Sequence, residues 1–327
     1  MRFGAVPIAD AEGAILAHSL GLSSGKLGKG RVLTADDIRA LGDDGFETVV
    51  VARLDGSDLS ENEAALRIAQ SVCEAGALDL SRPTTGRVNI YAAAPGIVKI
   101  NEAAVQAVNS VDPMITVATV PQFHRCDPRT LVATIKIIAY GVPETAVAQA
   151  EAEAVAAISL AAPVMRSATL IETVISGDLP SDKGRQAIHG RLARLGMTLA
   201  PRVIVAHADR AIADAIAAAD SDLILILTAS ATSDPADVAP SAVRLAGGEV
   251  TRFGMPVDPG NLLFVGTHNG RPVVGLPGCA RSPALNGADW VLERVICGET
   301  VADAEIAAMG VGGLLKEIPT RPSPREG

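Results

Sequence analysis

The chain has 327 residues, 48% of them hydrophobic, 20% charged and 2% aromatic, with a formal net charge of −9. That length suits two domains and a tail better than a single core, and Ala, Val, Ile and Leu must fill the interiors. The acidic balance excludes nonspecific nucleic-acid binding, so an anionic ligand would need local backbone donors and a few chosen cations.

No leader pattern opens the chain and no apolar run reaches membrane-spanning length, so the expectation is a soluble, cytoplasmic protein with no membrane partner. Cys73, Cys126, Cys279 and Cys297 are scattered without a C-x-x-C and read as reduced thiols.

In the first half, Thr34 with Asp37 and Ser60 with Glu63 have capping-box spacing before apolar-periodic runs. Between them, Thr48–Ala52 reads as a buried strand. Pro95-Gly96 predicts a turn between strands at 86–93 and 97–100, and Asn101 opens a helix carrying Val105 and Val108. Residues 130–140 form a β-rich run, and Pro143 begins an alanine-rich helix through about Ile158. This half has an α+β character. A boundary at Ala161-Ala162-Pro163 gives domains of 1–163 and 164–300, with 301–327 as a Gly- and Pro-rich tail or linker.

The second half is more regular. Apolar strands at 169–175, 202–206, 223–227, 249–257, 262–265 and 273–276 alternate with helical faces. Ile188, Leu192 and Leu195 mark the first face, Ile212 and Ile216 the second, Val238, Ala242 and Leu245 the third, and Leu285 to Val295 the last. Continuous apolar strands between helices predict a doubly wound, mostly parallel α/β sheet.

In such sheets ligands lie beyond the carboxyl ends of the strands. Three loops fall there: Ser176-Gly177-Asp178, Thr228 through Asp237, and Gly275-Leu-Pro277-Gly278 through Arg281-Ser282. Glycines allow close backbone approach, helix starts present N–H groups, and the hydroxyls of Ser230, Thr232 and Ser233 add donors. Arg281 supplies a planar cation. Asp178 and Asp237 are the candidate catalytic carboxylates, and Asp237 is the candidate ligand for a divalent metal such as Mg²⁺. Each loop also has a plain reading as a polar turn or helix cap. The glycines of 21–30 have neither P-loop nor dinucleotide spacing, and His124-Arg-Cys126 lacks partner ligands. His189 and His207 read as solvated or hydrogen-bonded.

Taken together, the second-half motifs resemble the molybdopterin-binding domain of molybdenum-cofactor biosynthesis proteins of the molybdotransferase, gephyrin-like kind. Ser176-Gly177-Asp178 matches the family's T-G-D, Thr228–Asp237 its T-G-G-x-S-x-G-x-x-D, and Gly275-Leu-Pro-Gly278 its G-L-P-G. Gly247-Gly248-Glu249-Val250 matches a family turn, and Asp209 falls where many members carry an Asp. The sequence departs from the pattern at Ala229-Ser230, which replace paired glycines, at Asp258 and Asn261, which replace both lysines of a K-P-G-K segment, and at Cys279, which replaces an asparagine.

The resemblance implies a ligand of the molybdopterin class, a pterin phosphate held by the three loops, with Arg281 neutralising phosphate. It implies a homo-oligomer, and a role in cofactor biosynthesis or maturation with a molybdoenzyme maturation partner or a nucleotidyltransferase module beside it. Activity would be of molybdotransferase or cofactor cytidylyltransferase type. The alternatives are a non-catalytic carrier or scaffold, and a nucleotide- or sugar-phosphate-binding enzyme on the same fold.

Overall fold

The computed structural model describes residues 1–177 and 179–315, so Asp178 and residues 316–327 lie outside the described residues. The chain divides into two compact units, one of residues 1–94 and 98–160, the other of 95–97 and 161 onward.

The first unit is α+β. Strands Arg2–Pro7, Thr48–Arg53 and Ile15–Leu16 form an antiparallel sheet over a core that includes Leu16, Leu33, Leu41 and Val51. The Thr34–Asp37 capping box opens the helix Ala35–Asp43. At Ser60 only the hydroxyl half of the predicted box forms, accepting Glu63 N–H. A second sheet orders strands Ile115–Thr119, Leu131–Ile137, Arg87–Ala92 and Leu78–Leu80. It shares a core with the helices Glu61–Val72 and Glu144–Ala154 through Ile68, Val72, Ile90, Ile135, Val147 and Ala150. The strands expected on either side of the turn near Pro95 form at Arg87–Ala92 and Gly96–Ile100, and they enter different sheets. One expectation changes here. The helix after Pro143 stops at Ala154, because Ala156 takes a positive φ of 50° and Ile158 begins a strand.

The second unit is built on a seven-stranded sheet. Its elements in chain order are β1 (Ser167–Val174), α1 (Asp182–Ala193), β2 (Thr198–Leu199), β3 (Val203–Ala206) and α2 (Asp209–Ala218), then β4 (Leu223–Leu227), α3 (Val238–Leu245), β5 (Glu249–Phe253), β6 (Phe264–His268), β7 (Arg271–Gly275), α4 (Gly287–Ile296) and α5 (Asp303–Ala308). β1 pairs in parallel with β2, β3 and β4, and β4 in parallel with β7, while β5–β6–β7 adds an antiparallel edge.

All five residues of β4 are buried, as a strand covered on both faces requires. Ile224 and Ile226 share a core with Ile212, Ile216, Ala242 and Val243 of α2 and α3. Successive strand residues point to opposite faces, so Leu223, Leu225 and Leu227 serve the other layer, where Leu227 lies close to Gly184 of α1. The sheet is therefore doubly wound. Where the sequence suggests a tail, Asp303–Ala308 is helical and buries Ile306 at 0% exposure, with Met309 and Leu315 buried beyond it. Among the described residues, no helix is long and apolar enough to cross a membrane.

Candidate functional site

A cleft of about 710 Å³ opens at the carboxyl ends of the parallel strands. The end of β1 (Glu172, Thr173, Val174) and Leu227 of β4 form part of its wall. Ile175 and Ser176 follow β1, Ser181, Lys183 and Gly184 come from the start of α1, and Ala229 follows β4. Gly278, Cys279, Arg281 and Ser282 complete the lining from the turn after β7.

The loop between β1 and α1 is fastened from below. Glu172, only 2% exposed, receives Arg202 Nε at 2.8 Å and Nη2 at 3.1 Å. Arg202 also donates to Asp182 at 2.6 Å and to the Pro180 carbonyl. One guanidinium thus joins β1, the β1–α1 loop and the first turn of α1, and Glu172 with Asp182 pushes the Arg202 pKa up. Because Arg202 neutralises Glu172, the buried carboxylate does not repel an anion in the cleft. Ser181 caps α1 through Lys183 N–H. The Lys183 ammonium has no ion-pair partner among the described residues, and it sits in a first turn where the helix dipole disfavours a cation.

The turn after β7 is held by Arg191 of α1. This residue is 7% exposed, pairs with Asp289 of α4 at 2.7 Å, and donates to the carbonyls of Ala280, Ser282 and Ala284 at 2.8, 2.8 and 3.0 Å. Asp289 in turn accepts Asn286 N–H in the capping box that opens α4. With its carbonyls turned inward, the loop presents Arg281 and Ser282 outward, both exposed. Arg281 donates to the Thr228 carbonyl, and its other N–H groups have no acceptor among the described residues. Desolvation pulls its pKa down and Glu172 partly offsets this, yet a guanidinium stays charged at neutral pH. Ser282 Oγ accepts Ala284 N–H and keeps its own proton to donate. The two glycines of Gly275-Leu-Pro-Gly278 differ in role. A side chain at Gly275 would strike the Phe264 ring at 1.9 Å, whereas at Gly278 the nearest atom is Arg281 Nη1 at 3.5 Å.

The loop after β4 behaves differently. Thr228 donates to the Ser230 carbonyl at 2.6 Å and lies 3.3 Å from the Thr232 hydroxyl, with both threonines buried. Asp237 caps α3, accepting Val238 N–H at 2.7 Å and Ser233 N–H at 3.0 Å, so both carboxylate oxygens already hold donors. Ala229 and Ser230 stay out of the left-handed region, so the missing glycines cost the backbone nothing.

Of the expected residues, Ser176, Gly278, Arg281 and Ser282 meet on the cleft wall, and Gly177 and Pro277 flank it in sequence without lining it. Thr228, Ser230, Thr232, Ser233 and Asp237 are not in the lining; the hydroxyls of Thr228 and Thr232 and the Asp237 carboxylate bond within their own loop. Asp209, the first residue of α2, accepts its neighbour Arg210 N–H and is not in the lining. The Met255–Asn261 segment is not in it either; at Gly260 a side chain would strike the Gly287 backbone at 2.8 Å. No group of three or more metal-ligating side chains occurs among the described residues. Sequence reading missed Glu172, Arg202, Lys183 and Arg191. Two of them left signals. Glu172 is a charge inside an apolar strand run, and Arg191 falls in the helical stripe of Ile188, Leu192 and Leu195.

Residues 169–295 match the family model for a probable molybdopterin binding domain, and residues 5–53 match a domain of unknown function. No curated protein matches the chain significantly. Among solved structures, the chain is similar to a molybdopterin biosynthesis moeA protein from Pyrococcus horikosii (15% identity, 91% of this chain and 76% of that one, TM-score 0.32). It is also similar to a molybdenum cofactor biosynthesis protein B (18%, 41% and 88%, TM-score 0.28) and to a molybdenum cofactor biosynthesis protein from Pyrococcus furiosus (12%, 92% and 66%, TM-score 0.26).

Proposed function

The segment 169–295 belongs to the molybdopterin-binding domain family of molybdenum cofactor biosynthesis, and from that premise we propose that the cleft binds a molybdopterin-type pterin through its phosphate. The observation that carries this reading is the charge arrangement. In a chain of net charge −9, two cations, Lys183 and Arg281, line one cleft, while its buried carboxylate is matched by Arg202. Arg281 offers a fork of N–H groups to phosphate oxygens, Lys183 offers a point charge, and Ser176 and Ser282 offer hydroxyl protons. Val174, Ile175, Pro180, Leu227 and Ala229 supply apolar wall for a ring. The volume lies within the range of small-molecule sites.

A second reading, that the domain carries the ligand without converting it, draws support from Asp237. Each of its oxygens holds a backbone N–H, as a helix cap requires, and Asp237 is not in the cleft lining.

Fluorescence titration with 6-hydroxymethylpterin phosphate and with the unphosphorylated pterin tests the main reading. Losing a charged hydrogen-bond acceptor costs about 1.5–3 kcal/mol, so the phosphorylated form is expected to bind about 10- to 100-fold more tightly. Equal affinities, or a preference for nucleotides over both pterins, would overturn it. Incubation with molybdopterin, ATP-Mg²⁺ and molybdate separates carrier from enzyme, since a carrier binds and returns the pterin unchanged.

A further inference from the structure

We propose that Thr173 and His207 are positioning residues that lock the rim of this cleft and withdraw the Ala229 N–H from any ligand. The inference rests on reading the cleft as a ligand site. Thr173 lies in β1, is 1% exposed, and lines the cleft. Its Oγ accepts Ala229 N–H at 2.7 Å and stands 3.0 Å from Nδ1 of His207. His207, just past β3, is fixed by its own N–H, which donates to the Val174 carbonyl at 2.7 Å.

A threonine hydroxyl has one proton and two lone pairs. One lone pair holds Ala229 N–H, and the proton of so buried a group needs an acceptor. Among the described residues His207 Nδ1 is the acceptor at hand. Nδ1 is therefore the accepting ring nitrogen, and the ring hydrogen sits on Nε2. One hydroxyl thereby ties together the carboxyl ends of three parallel strands, β1, β3 and β4.

The consequence for recognition is specific. Ala229 is the one residue of 228–237 on the cleft wall. A free N–H at such a strand end is a donor that an anion would take. Here Thr173 has taken it, so the loop after β4 contributes shape and apolar surface, and the anion is left to Arg281, Lys183 and the serines. His207 touches no ligand. It acts through Thr173 by fixing where that hydroxyl points.

Nitrogen-15 NMR of the ligand-free protein at pH 8 gives the first test, with the Nε2–H tautomer expected for His207. Thr173→Val keeps the shape and removes the hydroxyl, while Thr173→Ser restores it. In the valine variant the Ala229 amide is expected to exchange with solvent about tenfold faster, the equivalent of one lost hydrogen bond, and in the serine variant at the wild-type rate. A His207 carrying its proton on Nδ1, or an Ala229 amide equally protected in all three proteins, overturns the proposal. Should Thr173→Val fail to fold, the wild-type tautomer decides. If the wild-type protein ignores the pterin while tautomer and exchange behave as expected, the pterin reading fails and the lock stands.

Discussion

The loops after β4 and β7 leave neighbouring parallel strands at the same end of one sheet, and both carry the small polar residues expected of ligand loops. They use their hydrogen-bonding capacity in opposite ways. In 228–237 the Thr228 hydroxyl and the Asp237 carboxylate bond to backbone groups of the same loop or of α3. In 278–284 the inward carbonyls are served from outside by Arg191, which frees the Arg281 and Ser282 side chains to face the cleft. Polar composition marks a loop as able to bind. Whether it binds depends on where its hydrogen bonds are already spent, and a loop propped by a buried cation has more left to offer.

The strongest way to break this contrast is to remove the prop. Arg191→Met leaves Asp289 buried without its cationic partner and the Ala280 and Ser282 carbonyls without their donor. Breaking a buried pair in this way costs about 3–5 kcal/mol. Urea denaturation followed at Trp290, the chain's single tryptophan and a residue of α4, reads the unit that carries the change. A loss below about 1 kcal/mol would place Arg191 among surface pairs and remove the argument for a propped loop.

The next largest effect belongs to the outward face of the same loop. Arg281→Ala removes a charged donor from the cleft and should weaken binding of 6-hydroxymethylpterin phosphate by about 10- to 100-fold, with little change in the unphosphorylated pterin. Stability should move little, since Arg281 is exposed and makes one bond to the Thr228 carbonyl. Arg281→Lys tests geometry apart from charge. A point charge that recovers only part of the affinity identifies a forked contact with phosphate.

Much of the second unit was legible because its code is local. The run Leu223–Leu227 has the pattern of a strand buried on both faces, and the helical stripes of α1, α2 and α3 identify the layers. The three strand-end loops could be named from Gly, Ser and Pro placement alone. The side chains that organise the cleft were harder to read, because their partners are distant in sequence. Arg191 meets Asp289 across 98 residues and Arg202 meets Glu172 across 30. Nothing near either arginine in sequence identifies a carbonyl or carboxylate partner so far along the chain. Asp237 is ambiguous for the opposite reason. Its position at the start of α3 is what both a metal ligand and a helix cap require, and the two N–H groups on its oxygens show the cap.

The smallest effect therefore sharpens the comparison most, because it separates cap from ligand at that one residue. Asp237→Ala removes a side chain that accepts Val238 N–H and Ser233 N–H. Loss of a cap of this kind costs about 0.5–2 kcal/mol of stability. Asp237→Asn, which keeps an acceptor oxygen and discards the charge, should recover most of that, since asparagine caps helices about as well as aspartate. Affinity for the pterin phosphate should change by less than about threefold in either variant, within the few tenths of a kcal/mol typical of substitutions away from a contact. A metal ligand or general base gives the reverse pattern. The asparagine variant would then be as stable as the wild type yet lose binding in the presence of Mg²⁺, or lose turnover, by orders of magnitude. With stability following the acceptor and affinity following neither, the loop after β4 serves as scaffold for the binding surface built by its neighbour.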